Sequence, residues 1–157
     1  MKKVLRGKVP LLTSNGKTMV PIEITYDDSE VIANLQSEIT LLFNEIEYKG
    51  YGADYLWIDT LADLQMKLPK DVKLACCMTC RHGNMCPYGN EENQLICTKG
   101  ITITSKEDML DLFDQTDPFE ERAVASLDFC VDFVYQSDDY YTYNYYFYQL
   151  SRKMADK

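Results

Sequence analysis

Five of the six cysteines in this 157-residue chain fall in one stretch, "LACCMTCRHGNMCPYGNEENQLICTKG", residues 74–100. Cys77 and Cys80 stand two residues apart, a spacing at which two thiolates on a tight turn grip one metal ion. Five residues then separate Cys80 from Cys86, and ten separate Cys86 from Cys97. A tetrahedral zinc site made of Cys77, Cys80, Cys86 and Cys97 is the chemistry this pattern suits best. Four protein ligands leave no coordination position for water, so such a site is structural and not hydrolytic. Cys76 is the odd thiol. Successive residues of an extended chain face opposite sides, so Cys76 is expected to pack inward, with a ligand role only as the alternate to Cys77. His82, the single histidine, is a second alternate ligand; Gly83 just beyond would let the chain double back.

Other chemistries stay open beside zinc. An iron–sulfur cluster has the cysteine–proline step Cys86-Pro87 in its favour, but the C-x2-C-x2-C run of such motifs is missing. A redox dithiol at Cys77/Cys80 matches the C-x2-C spacing, although thioredoxin-type pairs open a helix and this one runs into "RHGNMCPYGN". Unrelated buried thiols are the plainest alternative, because cysteine is among the most buried residue types. Nucleophilic catalysis has only His82 as a histidine base, and no glycine-rich phosphate loop occurs. Asp111, Asp114 and Asp117 lack the calcium-loop pattern and read as a solvated helix face. Asp128 and Asp132, on either side of Cys130, read as solvated carboxylates. The expectation is a non-enzymatic protein.

The formal charge of −9 argues against nucleic acid as a direct ligand, since that binding depends on cationic side chains displacing counterions. The charge is uneven: Lys2, Lys3, Arg6, Lys8 and Lys17 lie near the start, whereas acids dominate from Glu107 to Asp139. No signal-peptide core or membrane-spanning run occurs, so a reducing cytoplasm is expected, where clustered thiols point to metal or redox chemistry before disulfides. Seven of the twelve tyrosines lie between Tyr135 and Tyr148, too many for all to face one core. Tyr140 and Tyr141, beside Asp138 and Asp139, are the expected surface for a protein partner with a basic face.

The elements that must position these residues suggest a single α+β domain, mainly an antiparallel sheet with a cysteine-rich loop over 76–97. Asn15-Gly16 predicts a hairpin joining strands around Val9–Leu11 and Val20–Tyr26, with Pro10 and Pro21 at edge positions. Residues 29–40 are ambiguous, with Ser29 a possible helix cap, and 41–49 is expected to be strand. Helices are expected near 54–68, capped by Asp54 and stopped before Pro69; near 105–115, opened by a Ser105–Asp108 capping box; and near 142–154, capped by Thr142. Leu127, Phe129, Val131, Phe133 and Tyr135 alternate with mostly polar neighbours, the best strand signal in the chain. From Met78 to Asn93 almost no apolar periodicity appears, so a bound ion is the expected source of order there.

The segments "LPKDVKLACCMTCRHGNMCPYGN" and "DFVYQSDDYYTYNYYFYQL" resemble small uncharacterised bacterial proteins. Those proteins pair a CCxTCRxGNxCPxG-type segment with a tyrosine-rich C-terminal stretch. The resemblance covers about the last two-thirds of the chain and carries no known activity. It implies that Cys77, Cys80, Cys86 and Cys97 belong to one constellation, and leaves open which of Cys76 and Cys77 is the ligand. The expected function is therefore protein binding or regulation on a zinc-organised scaffold. Charge and size add an analogy with acidic immunity proteins and enzyme inhibitors.

Overall fold

The N-terminal hairpin forms in the computed structural model of the chain, which describes residues 1–27, 36–53, 57–88 and 94–156. Strands β1 (Lys2–Thr13) and β2 (Gly16–Asp27) pair antiparallel along their whole length. Their connection is Ser14–Asn15, one place earlier than a turn centred on Asn15-Gly16, and Gly16 takes the positive φ of +104° as the first residue of β2. Each proline lies where the ladder asks for no N–H. Pro21 sits one residue before β2 begins to pair with β3 at Ile22, and Pro10 one residue before β1 pairs with β5 at Leu11.

The segment expected as one strand over 41–49 is instead a second hairpin. Strands β3 (Ser37–Phe43) and β4 (Ile46–Gly52) are joined by Asn44 and Glu45, both at positive φ (51° and 65°). Two consecutive left-handed residues suit the right-handed twist of a hairpin, and only the asparagine announces it locally. The possible cap Ser29 and residues 28–35 lie outside the described residues, as does the cap Asp54. Helix α1 (Ile58–Lys67) follows Trp57, which is left-handed (φ 61°), buried, and set edge-on to Tyr26 at 5.9 Å.

The chain forms two compact units, one of residues 1–74 with 146–157 and one of residues 75–145. In the first, the sheet order is β4-β3-β2-β1-β5, with β5 at Lys73–Leu74. Its core is apolar: Val9, Leu11, Val20, Ile22, Ile24, Ile39 and Leu41 from the sheet meet Ile58, Leu61 and Leu64 of α1. Gly50 and Gly52 let α1 lie close on β4; a Cβ at Gly50 would fall 2.6 Å from the Leu64 Cβ. Buried Gln65 clamps β5, donating to Val72 O (2.8 Å) and accepting from Leu74 N (2.9 Å). The last helix, α4 (Tyr146–Ala155), packs along α1 with Tyr146 and Leu150 buried and Lys153 on Asp59 at 2.8 Å. It starts four residues later than expected, because Thr142 does not cap it and donates to Arg81 O instead (2.8 Å).

The second unit holds strands β6 (Gly83–Asn84), β7 (Gln94–Cys97) and β8 (Ala123–Ala125), paired in the order β6-β7-β8. Helix α2 (Lys106–Gln115) opens as expected, with Ser105 Oγ accepting from Asp108 N. The Asp108 carboxylate reaches back to the N–H of Thr104, one residue before the cap. A short helix not foreseen, α3 (Pro118–Arg122), follows, capped by Asp117 with Pro118 at its start. Among the described residues no helix is long and apolar enough to cross a membrane.

Candidate metal centre

The expected strand over 127–135 does not form, and its failure shapes the site. Its backbone bonds to the cysteine segment, but that segment is a single 3₁₀ turn, Cys77–Thr79, which offers no ladder. Cys77 N donates to Asp128 O (2.7 Å) and Met78 N to Ser126 O (3.0 Å). The Asp128 side chain folds back on Ala125 N (2.8 Å), and only Tyr135 makes an isolated bridge, with Cys80. The alternation does not separate an inner from an outer face: Val131 is 90% exposed and Phe129 49%, Leu127, Phe133 and Tyr135 are half-buried, and Asp128, Cys130 and Asp132 are exposed.

The turn itself is built from short-range bonds. Thr79 Oγ1 accepts from Cys76 N (3.2 Å), Cys80 N donates to Cys77 O (3.2 Å), and Gly83 N donates to Cys80 O (3.0 Å). Gly83 passes directly over the turn, where a Cβ would run into the Cys77 carbonyl. Its partner across the β6–β7 ladder is Cys97, so the strand pairing delivers the third thiol beside the first two.

Buried amides tie the described part of this loop down. Gln136 Nε2 donates to Met78 O (2.7 Å), and Asn144 Nδ2 donates to Met78 O and Gly83 O (2.9 Å each). Asn84 donates to Thr98 Oγ1 (2.8 Å) and accepts from Tyr143 N (2.6 Å). Thr79, Asn84, Thr98, Ser126, Gln136 and Asn144 are all buried, so polar side chains here do the ordering that an apolar face would do elsewhere. Isolated Asn and Gln have no periodicity, which is why the pattern of apolar residues did not reveal them.

Cys77, Cys80 and Cys97 share one cavity of about 20 Å³, room for one water-sized sphere or one ion. Cys130 lines it too, and sequence reasoning had placed that thiol on a solvated strand face. Its only local signal was a cysteine between two aspartates. Cys86 is not among the described residues lining the cavity. It lies beside Tyr88, whose hydroxyl is held by Asp114 of α2 (2.6 Å) and whose ring meets Phe113 at 6.5 Å. Cys76 is fully buried, as expected, and burial pushes its thiol up to about 11.

The surrounding charges are mixed. His82 lines the cavity, with its ring edge-on to Tyr140 at 6.0 Å; its Nδ1 is covered and has no hydrogen-bond partner among the described residues. Burial first, then Arg81 and Lys99, lower its affinity for a proton, so the ring is neutral near pH 7. Lys99 and Asp132 form an ion pair at the rim. Burial first, then the neighbouring Cys76, Cys80, Asp128 and Cys130, raise the Cys77 thiol well above its ordinary range. A thiol in this setting is a poor nucleophile unless a cation takes the place of its proton. Among the described residues no three His, Cys, Asp or Glu side chains stand at metal-gripping distances. The four thiols that line the cavity are of the donor type zinc takes, but they are not drawn together at ligand distances.

The expected partner surface is partly structural. Asp138 and Asp139 are exposed, and Ser137 donates to the Asp139 carboxylate. Tyr140 is half-buried, with the Arg81 guanidinium over its ring at 4.5 Å, and Tyr141 is half-buried as well. No family model matches the chain, and no curated protein matches it.

Proposed function

We propose that the chain is a non-enzymatic protein-binding domain of a reducing compartment, its cysteine-rich unit organised by one structural zinc ion. The observation that carries this reading is the meeting of Cys77, Cys80 and Cys97 around one ion-sized cavity, with the C-x2-C pair on a tight turn. When bound, zinc would cross-link the turn to β7, and its binding energy would become folding energy for the loop. The residues do the rest: Gly83 permits the close approach, and Gln136 and Asn144 hold a carbonyl of the turn, Met78 O. The dithiol alternative lacks the helix N-terminus that lowers a reactive thiol's pKa, because Cys77 opens only a three-residue turn.

The partner-binding half of the reading rests on the acidic, exposed Asp138 and Asp139 and on the net charge of −9. A partner with a basic face would be steered by that field and released by salt. The deciding experiment is metal analysis with an absorbance spectrum, on protein purified anaerobically without a metal-chelating tag. About one zinc per chain and no visible absorption are expected for a structural site. Iron with visible absorption would move the reading to an iron–sulfur protein, and absence of any metal would overturn it.

A further inference from the structure

The geometry points to Cys130, not Cys86, as the fourth thiolate of the zinc site, so that the ion is held by Cys77, Cys80, Cys97 and Cys130. The inference rests on the zinc reading above and fixes which segments the metal joins.

Three independent features bring Cys130 to the cavity. The backbone bonds from Cys77 N to Asp128 O and from Met78 N to Ser126 O tie the 126–128 segment to the C-x2-C turn, two residues before Cys130. The Asp128 carboxylate on Ala125 N turns the chain as it leaves β8. The cavity wall then includes Cys130 together with Cys77, Cys80 and Cys97. Cys86 has the opposite anchoring. Met85 N is bonded to Tyr143 O at 2.7 Å, and Tyr88 is pinned to α2, so both sides of Cys86 are committed elsewhere.

Such a site has a definite charge balance. Each thiol that binds loses its proton to solvent, so four thiols and one Zn²⁺ give a centre of net charge −2 and release four protons. The Lys99 ammonium lies close enough to Cys97 and Cys130 to feel both, and Arg122 donates to Cys97 O (3.1 Å) and Lys99 O (2.9 Å). Lys99 is already paired with Asp132, which also lines the cavity. His82, also on the cavity wall, is the remaining competitor for the fourth position.

The test compares Cys130→Ser, Cys86→Ser and His82→Gln with the wild-type chain, using zinc competition against a chelator and cobalt(II) spectra. Cys130→Ser is expected to weaken zinc binding more than about 100-fold, beyond the 10–100-fold typical of losing a supporting group. Its cobalt form should lose thiolate-to-cobalt charge-transfer intensity. Cys86→Ser and His82→Gln are expected to match the wild type. Loss in Cys86→Ser or His82→Gln with retention in Cys130→Ser would overturn this inference and leave the zinc reading standing. A wild-type chain that binds no zinc would overturn both. Because a variant can simply misfold, thiol alkylation of the wild-type chain read by mass spectrometry provides a second measurement. Cys130 is exposed, so zinc-dependent protection of Cys130 while Cys86 reacts supports the inference, and the reverse pattern overturns it.

Discussion

Gly83 is the residue on which the cysteine turn depends most directly. A methyl group there meets the Cys77 carbonyl, which is backbone and cannot swing aside. Gly83→Ala is expected to cost about 1–3 kcal/mol of stability, as overpacking at a tight contact does, measured as a lower urea midpoint at unchanged slope. Asn84 is a comparable case in polar chemistry: Asn84→Leu leaves Tyr143 N–H and Thr98 without their buried partner and is expected to cost about 1–3 kcal/mol. Some of this was legible in the sequence. The C-x2-C pair and the glycine after it named the turn, and the inward packing of Cys76 followed from its place beside Cys77. Cys130 was not legible, because its approach depends on bonds between residues about fifty positions apart.

Among the elements, those with local signatures form near where the signatures stand. Ser105 caps α2, and Ser105→Ala is expected to cost about 1 kcal/mol, read as a lower midpoint in thermal unfolding followed by circular dichroism. Helix α1 carries an acid-dependent tie to β4. Burial alone would raise the Asp63 carboxyl, but the Lys67 ammonium and the Tyr51 N–H, each at 2.8 Å, outweigh it and hold the group below the usual carboxylate range. A carboxyl depressed in the fold adds stability that is complete above its unfolded value of about 4 and is lost as pH falls through the folded value. Asp63→Asn should therefore destabilise the chain at neutral pH, by less than about 1 kcal/mol because solvent screens the pair. The same variant should flatten the acid limb of stability against pH. The alternation over 127–135 misled because neither of its two sets of residues is buried against a core. With a 3₁₀ turn as its neighbour the segment had no ladder to join, and its aspartate and cysteine positions served the site instead.

For the whole molecule, the two units are held by different physics. The first, residues 1–74 with 146–157, buries the apolar face of its sheet against α1; the second, residues 75–145, buries Met78, Leu95, Ile96, Ile103 and Met109 together with the polar Thr79, Asn84, Thr98, Ser126, Gln136 and Asn144. On the proposed zinc reading, a strong chelator is expected to speed hydrogen exchange at amides of 75–145 while leaving β1–β4 and α1 protected, measured by mass spectrometry of peptides. Composition, charge, the Asn15-Gly16 hairpin signal, the apolar stripe of α1 and the Ser105 cap were set by the sequence alone, since each acts over a few neighbouring residues. The second hairpin at Asn44–Glu45, the amide scaffold and the presence of Cys130 on the cavity wall were decided only by tertiary structure. They depend on which distant backbone groups find partners, and that choice is made by the whole fold satisfying its buried hydrogen bonds at once.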